Sequence, residues 1–239
     1  MMKTERSLTS TLEIASAVVN LTFHDIVPKD APRGRYDVSE SSFWEIVEWS
    51  LVIGLAPHIR IYFDDNYESF HSKILPRLET GRFADVIAAV PISSIGEPGR
   101  AGWDQLQDAE LHGVRIVPHG FSHVRLASYS NGILLPTPLG GKYRNRPDEL
   151  DGPLAENEVL YQLVEAHDVI PAQEFVLPYG CYNRATIECN ARLGLYDWLA
   201  TADFDFDRGQ HLRPRLLVER GLDSPEELCQ RILKRGAAA

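Results

Sequence analysis

Short apolar runs alternate with amphipathic stretches along the whole chain. The runs are rich in β-branched and aromatic residues and end at Phe23, Phe63, Val90, Val117, Leu177, Thr201 and Val218. Between them, apolar residues recur at helical spacing in segments such as FWEIVEWSLV, WDQLQDAELHG and ENEVLYQLVEAH. Strands that alternate with helices predict an α/β fold with parallel strands. About seven strands and about six helices favour a distorted, TIM-like (β/α) barrel, and an open doubly wound sheet is the alternative.

Composition narrows the class of protein. Apolar residues make up 44% and charged residues 24% of the chain, the balance of a globular domain, and we expect one domain over residues 1–239. The net charge of −10 argues against a nucleic-acid partner. No apolar run is long enough to span a bilayer, so we expect no transmembrane segment. The oligomeric state has no legible signal in the sequence.

The N-terminus and the cysteines bear on cellular location. Glu5 and Glu13 interrupt the pattern of a signal peptide, which predicts a cytoplasmic protein. A leader missing from this sequence would instead direct it to the periplasm or the exterior. Three cysteines, an odd number without a CxxC pair, argue against a disulfide framework.

Polar residues that could take part in catalysis or metal binding directly follow four of the predicted strands. They are His24 and Asp25, Asp64 and Asp65, His119 and His123, and Tyr179 and Gly180. In a parallel barrel the carboxyl ends of the strands converge on one rim, where barrel active sites lie. The positions therefore predict an active site assembled from four strands.

The Asp pair and the HGFSH segment together suggest a metal centre. A helix cap followed by a solvated acid would explain Asp64 and Asp65 alone, and a hydrogen-bonded histidine would explain either His119 or His123 alone. Two histidines four residues apart in a turn can, however, reach one ion. With one carboxylate they form a three-ligand set that leaves positions open for water and substrate, as a catalytic metal requires.

These segments resemble the motifs of the NodB-type polysaccharide deacetylases (carbohydrate esterase family four). IYFDDNY is similar to the TFDDG motif, IVPHGFSHVRL to the HxxxH motif, and LPYG to the end of the RxPYG motif, over nearly the whole chain from about Val18. The resemblance implies a distorted (β/α) barrel that binds zinc or a similar divalent metal (cobalt, nickel or manganese). It assigns Asp65, His119 and His123 as metal ligands and Asp64 as the general base. Tyr179 would offer its backbone N–H to the oxyanion.

Three positions depart from the family pattern. Asn66 replaces the glycine after the Asp pair, a change that left-handed turn geometry tolerates. Val176 stands where the family has an arginine that orients the base. The C-terminal motif whose histidine acts as general acid is missing.

The first strand offers a replacement for that acid. LTFHD looks like the missing motif moved to the N-terminus, as in poly-N-acetylglucosamine deacetylases, and makes His24 the preferred acid. His211 is the competing candidate. Asp25 would hold His24, while Tyr179, Gly180 and Trp198 would contact the sugar.

The expected function is therefore metal-dependent de-N-acylation of an N-acetylated amino sugar in an envelope polysaccharide, O-antigen or exopolysaccharide precursor. One alternative is a hydrolase of non-sugar amides on the same scaffold. The other is a catalytically impaired carbohydrate-binding homologue, which the missing arginine favours.

Overall fold

The computed structural model describes residues 18–31, 34–126, 156–203 and 211–236. These contain ten strands: β1 (Val19–Phe23), β2 (Ile26–Val27), β3 (Val38–Ser39), β4 (Ile59–Asp64), β5 (Asp85–Val90), β6 (Arg115–Pro118), β7 (Glu174–Val176), β8 (Trp198–Thr201), β9 (Leu212–Pro214) and β10 (Leu216–Leu217). The α-helices are α1 (Glu40–Val52), α2 (Trp103–Leu111), α3 (Glu156–Val169), α4 (Arg184–Leu193) and α5 (Pro225–Gly236).

All recorded strand pairings within the sheets are parallel, which confirms the predicted α/β class. Five strands form one sheet in the order β10-β1-β4-β5-β6, three form a second in the order β7-β8-β9, and β2 pairs with β3. The described strands fall into separate sheets, so their pairings do not show the closed barrel of about seven strands that the sequence predicts. Only Arg215 separates β9 from β10, so the chain passes there from one sheet directly to the other.

The two sheets share an apolar interior. A small buried cluster draws on strands of both sheets, and its members are Tyr62, Ile87, Ala89, Val117, Val176 and Ala200. On β5, alternate residues join this cluster while Val86, Ala88 and Val90 join the larger core. Because side chains alternate along a strand, one face of each sheet lines the interior and the other packs against the helices.

Local sequence signals set the ends of the helices. Ser39 accepts a hydrogen bond from the backbone N–H of Ser42 at 3.1 Å and so caps the start of α1. Gly194 adopts a left-handed conformation at the end of α4, where a side chain would be strained. Among the described residues, no helix has the length and apolarity needed to cross a membrane.

A cluster of charged residues around one buried carboxylate ties the amino-terminal ends of the strands together. Glu174 on β7 is fully buried and accepts hydrogen bonds from the Tyr62 hydroxyl at 2.6 Å, from Arg115 at 2.8 Å and from Arg213. Arg115 also donates to Asp85 on β5 at 2.7 Å. Burial would raise the pKa of Glu174, but Arg213 and Arg115 outweigh burial and lower it. The cluster therefore links both sheets through one ionised carboxylate.

Replacing Glu174 with Gln should destabilise the fold by about 1.5–3 kcal/mol at pH 7, because the charged hydrogen bonds from the partly buried Arg115 and Arg213 to this buried carboxylate are lost. Urea unfolding of E174Q and wild type measures the difference. The control E156Q removes the exposed pair between Glu156 and Arg192 and should cost less than about 1 kcal/mol.

The lowered pKa of Glu174 also fixes a pH dependence. The stability that this carboxylate contributes is present above its unfolded pKa and is lost as the pH falls through the lower folded pKa. Acid should therefore destabilise wild type more than E174Q, and equal losses in the two proteins would contradict the role of Glu174.

Candidate active site and metal centre

The Asp64–Asp65 pair ends β4 in a tight turn. Asp65 and Asn66 both have positive φ angles, 70° and 57°, which non-glycine residues seldom adopt. Asn66 donates from its side chain to the Ala101 carbonyl at 2.9 Å, and Arg100 donates to the Asp65 carbonyl while its guanidinium lies over the Tyr67 ring. These contacts hold a strained turn at the carboxyl end of the strand, and Asn66 tolerates it as expected.

The HGFSH segment forms a loop that a distant glutamine holds in place. Gln162 on α3 accepts hydrogen bonds from the backbone N–H groups of Phe121 at 2.9 Å and Ser122 at 3.0 Å. Its amide also donates to the Ser122 hydroxyl at 2.8 Å. These three bonds fix the backbone between His119 and His123.

His119 is oriented by the neighbouring sheet. Its Nδ1 lies 2.9 Å from the Val176 carbonyl, which can only accept a hydrogen bond. Nδ1 must therefore carry the proton, and in the neutral ring Nε2 is left with its lone pair. A backbone carbonyl that fixes the tautomer in this way is the usual partner of a metal-binding histidine.

Three ligand atoms converge on one point. Oδ1 of Asp65 lies 3.4 Å from Nε2 of His119 and 3.1 Å from Nε2 of His123, and the two Nε2 atoms are 3.3 Å apart. A tetrahedral ion with bonds of about 2.0–2.1 Å places its ligand atoms about 3.3–3.4 Å apart. The triangle thus has the size of one face of such a site, and its donor set fits a divalent metal such as zinc.

Electrostatics keep the carboxylate of this triad ionised. Burial would raise the pKa of Asp65, but the imidazoles of His119 and His123 outweigh burial and lower it. A deprotonated carboxylate is the form that binds a cation. The predicted ligand residues therefore lie together, and the carboxylate among them is in the form that binds a cation.

Asp64 is a separate, buried carboxylate beside the triad. One nitrogen of Arg215, Nη1, lies 2.7 Å from Oδ1 and 2.9 Å from Oδ2, and Oδ2 is 3.9 Å from Nε2 of His119. Burial would raise the pKa of Asp64, but Arg215 first, and then His119 and His24, outweigh burial and lower it. Asp64 is therefore held as an anion close to the metal ligands.

Arg215 is the site residue that sequence reasoning missed. It is 1% exposed and lies in the short segment LRPRLLV, where an arginine flanked by apolar strand residues was the available signal. The expected arginine position, Val176, instead packs in the apolar interior. The basic partner of Asp64 thus comes from the junction of β9 and β10.

His24 lies beside Asp64. Parallel pairing of β1 with β4 sets Phe23 opposite Phe63, so the next residues, His24 and Asp64, follow paired strand ends. The pairing of β1 with β10 confirms that the first and last strands are neighbours. Burial lowers the pKa of His24, against the opposing effect of Asp64.

The His24 ring packs against an aromatic side chain. The His24 ring stacks on Tyr36 with centroids 5.0 Å apart, and its buried Nδ1 has no hydrogen-bond partner among the residues that the structure describes. Within the described residues no hydrogen bond joins Asp25 to His24; the Asp25 carbonyl accepts from the Val38 N–H. Stacking on Tyr36 restrains the ring in this structure, and the supporting role of Asp25 stays a prediction.

The LPYG turn lies against the same site. Tyr179 has a φ of 58°, is 39% exposed, and its ring centroid is 4.8 Å from that of His123. Gly180 has a φ of 64°, and a Cβ there would lie 2.5 Å from the Cβ of Ala202. Only glycine fits this close approach, so the turn carries Tyr179 to the metal ligands.

Trp198 and His211 lie at the amino-terminal ends of their strands, away from Asp64. Trp198 begins β8 and is about 10 Å along the strand from Thr201, which is at the end that faces the site. His211 precedes β9 and its Nδ1 lies 3.1 Å from the Asp197 carbonyl, near the same amino-terminal end. The direction of parallel strands separates both residues from Asp64.

Comparison with known proteins places the fold. No protein-family model and no curated protein sequence matches the chain. The solved deacetylase PplD from Streptococcus pyogenes, in complex with acetate, is 18% identical with a TM-score of 0.65, over 90% of this chain and 97% of its own. A de-N-acetylase from Aggregatibacter actinomycetemcomitans is 17% identical with a TM-score of 0.61, over 84% and 94%.

A third solved structure, the polysaccharide deacetylase BC0361 from Bacillus cereus, is 12% identical with a TM-score of 0.63, over 90% of this chain and 68% of its own. At such identities the likeness concerns architecture. The chain has the fold of the polysaccharide deacetylases, in agreement with the motifs in its sequence.

The contacts of Gln162 predict an effect on metal affinity. Q162M removes both acceptor bonds to the loop between His119 and His123, and should weaken zinc binding about 10- to 100-fold, as loss of an outer support of metal ligands does. Competition with a chromophoric chelator measures the affinity. Q162E keeps the acceptor oxygen and should stay near wild type; equal affinities of Q162M and wild type would contradict the prediction.

Proposed function

We propose that this protein is a metal-dependent hydrolase that removes the acyl group from an N-acetylated amino sugar. The observation that carries the proposal is the triangle of Asp65, His119 and His123, with the ionised Asp64 beside it. The deacetylase fold supports the same reaction class. One neighbour was solved with acetate, which is the acid that hydrolysis of an acetamide releases.

The residues of the chain have complementary roles in this mechanism. Asp65, His119 and His123 would hold a divalent metal such as zinc, which when bound polarises a carbonyl and lowers the pKa of water. Asp64 accepts a proton from the attacking water, because Arg215 and His119 keep it anionic. The backbone N–H of Tyr179, on the turn beside His123, would donate to the developing oxyanion. Gly180, on the same turn, would contact the substrate.

His24 is the proposed general acid. Its lowered pKa makes the ring neutral before the reaction, so it must take up a proton before it can protonate the departing amine. In the proposed reaction the proton that Asp64 takes from water passes to His24 through an intervening water, since the two residues follow paired strand ends. Base and acid thus act in sequence on paired strand ends.

The proposed substrate is an amino sugar of an envelope polysaccharide or its precursor. Acetate release from N-acetylglucosamine oligomers, from nucleotide-linked N-acetylglucosamine and from simple acetamides tests this assignment. Release from the acetamides alone would favour a non-sugar amide hydrolase. A protein that binds the oligomers without releasing acetate would instead be a binding homologue. The buried Asp64–Arg215 pair argues against that alternative, because sugar binding alone does not need an ionised carboxylate beside the metal ligands.

Removing Asp65 should abolish metal binding. D65A takes away the only anionic ligand of the three, so the metal content of purified protein should fall from about one ion per chain to near zero, with loss of activity. Elemental analysis gives the ratio. The control D108A, at an exposed position beside His112, should retain the metal. Full metal content in D65A would refute the proposed centre.

Changing His24 should impair turnover and spare the metal. H24N should reduce kcat by about 100-fold, the order that a general acid contributes, while metal content stays near one ion per chain. H211N serves as the matched control, since His211 lies at the other end of the strands and its loss should leave kcat unchanged. A fully active H24N protein would remove His24 from the mechanism.

A further inference from the structure

We propose that Arg215 is the positioning residue of the general base, holding Asp64 toward the metal ligands from a strand junction instead of from position 176. This inference rests on the proposed function. It assigns to a single arginine the orientation of the reacting carboxylate.

The guanidinium of Arg215 is fixed on three sides. Nη1 bridges both oxygens of Asp64, Nε donates to the Thr201 carbonyl at 3.1 Å, and the Tyr62 ring lies 4.9 Å from the guanidinium carbon. A planar cation with several donors can satisfy these contacts together, whereas a lysine ammonium cannot. The arginine is therefore held rigidly enough to define where the carboxylate points.

The backbone on both sides of Arg215 is anchored as well. Asn20 donates from its side chain to the Pro214 carbonyl at 2.9 Å, and Leu216 pairs with Leu21 on β1. The residue that carries the guanidinium thus lies between two points attached to β1. Little freedom remains for Arg215 to swing away from Asp64.

Position 176, where the sequence motif leads one to expect this cation, is occupied by Val176 and has a different role here. The side chain of Val176 packs in the interior cluster with Tyr62 and Ala200, and its carbonyl orients His119. β7 therefore contributes a backbone acceptor to the metal ligand and no charge to the base. A folded, buried Asp64 without Arg215 would be a carboxylate without an opposite charge, which is costly.

Steady-state kinetics of R215M and R215K, with metal analysis and thermal unfolding, test the role in turnover. R215M should lose about 100-fold in kcat, with KM and metal content close to wild type, because the substrate and metal contacts remain. R215K should fall between the two. The matched control R213M removes a partly buried arginine two residues away, paired with Glu174, and should lose stability but keep kcat within about twofold.

A second-site variant tests whether position 176 can supply the same charge. V176R combined with R215M should recover at least about 10-fold in kcat over R215M, whereas equal kcat values would refute the exchange of positions. A folded, metal-loaded R215M with wild-type kcat would overturn the proposal. If R215M does not fold, R215K with wild-type kcat overturns it equally.

Crystal structures of wild type and R215K separate this inference from the proposed reaction. The Asp64 carboxylate should rotate away from its wild-type orientation in R215K, and an unchanged orientation would overturn the positioning role. A wild-type protein that binds zinc but releases acetate from no acylated substrate would refute the proposed reaction. It would leave the positioning role of Arg215 standing, since the orientation of Asp64 does not depend on turnover.

Discussion

The hydrogen bond from His119 to the Val176 carbonyl is the interaction on which the candidate site depends. It joins the last strand of the five-stranded sheet to the first strand of the three-stranded one, and it fixes which nitrogen of His119 faces Asp65 and His123. A metal centre built from two sheets needs such a contact, because ligand atoms must keep their spacing to within a few tenths of an ångström. One bond thus couples the assembly of the fold to the geometry of the site.

Buried charge is arranged in two layers along the shared interior. At the amino-terminal ends of the strands, Glu174 is surrounded by Arg115, Arg213 and the Tyr62 hydroxyl. At the carboxyl ends Asp64 is paired with Arg215, whose guanidinium lies near the ring of the same tyrosine. Each carboxylate remains ionised because its arginines offset the cost of burial. Tyr62 thus spans the apolar layer between the ion cluster around Glu174 and the Asp64–Arg215 pair of the candidate site.

Much of the candidate site could be predicted without coordinates, because strand ends are visible in sequence. Apolar runs identify β1, β4 and β6, and the polar residues after them converge since parallel strands share a direction. The spacing in HGFSH likewise indicated that His119 and His123 could meet one ion. Trp198 begins β8, so strand direction places it at the opposite end from residues that follow a strand, and its contact with the sugar stays a prediction.

By itself, then, the sequence determined the parallel α/β class, the carboxyl-end location of the site and the residues that converge on Asp65. Those properties follow from local periodicity and strand direction. Tertiary structure alone decided that Arg215 neutralises Asp64, 151 residues away, and that Gln162 supports the loop between the histidines. Such contacts depend on which side chains face one another across two sheets and a helix. The spacing of residues along the chain does not reveal which distant side chains will meet.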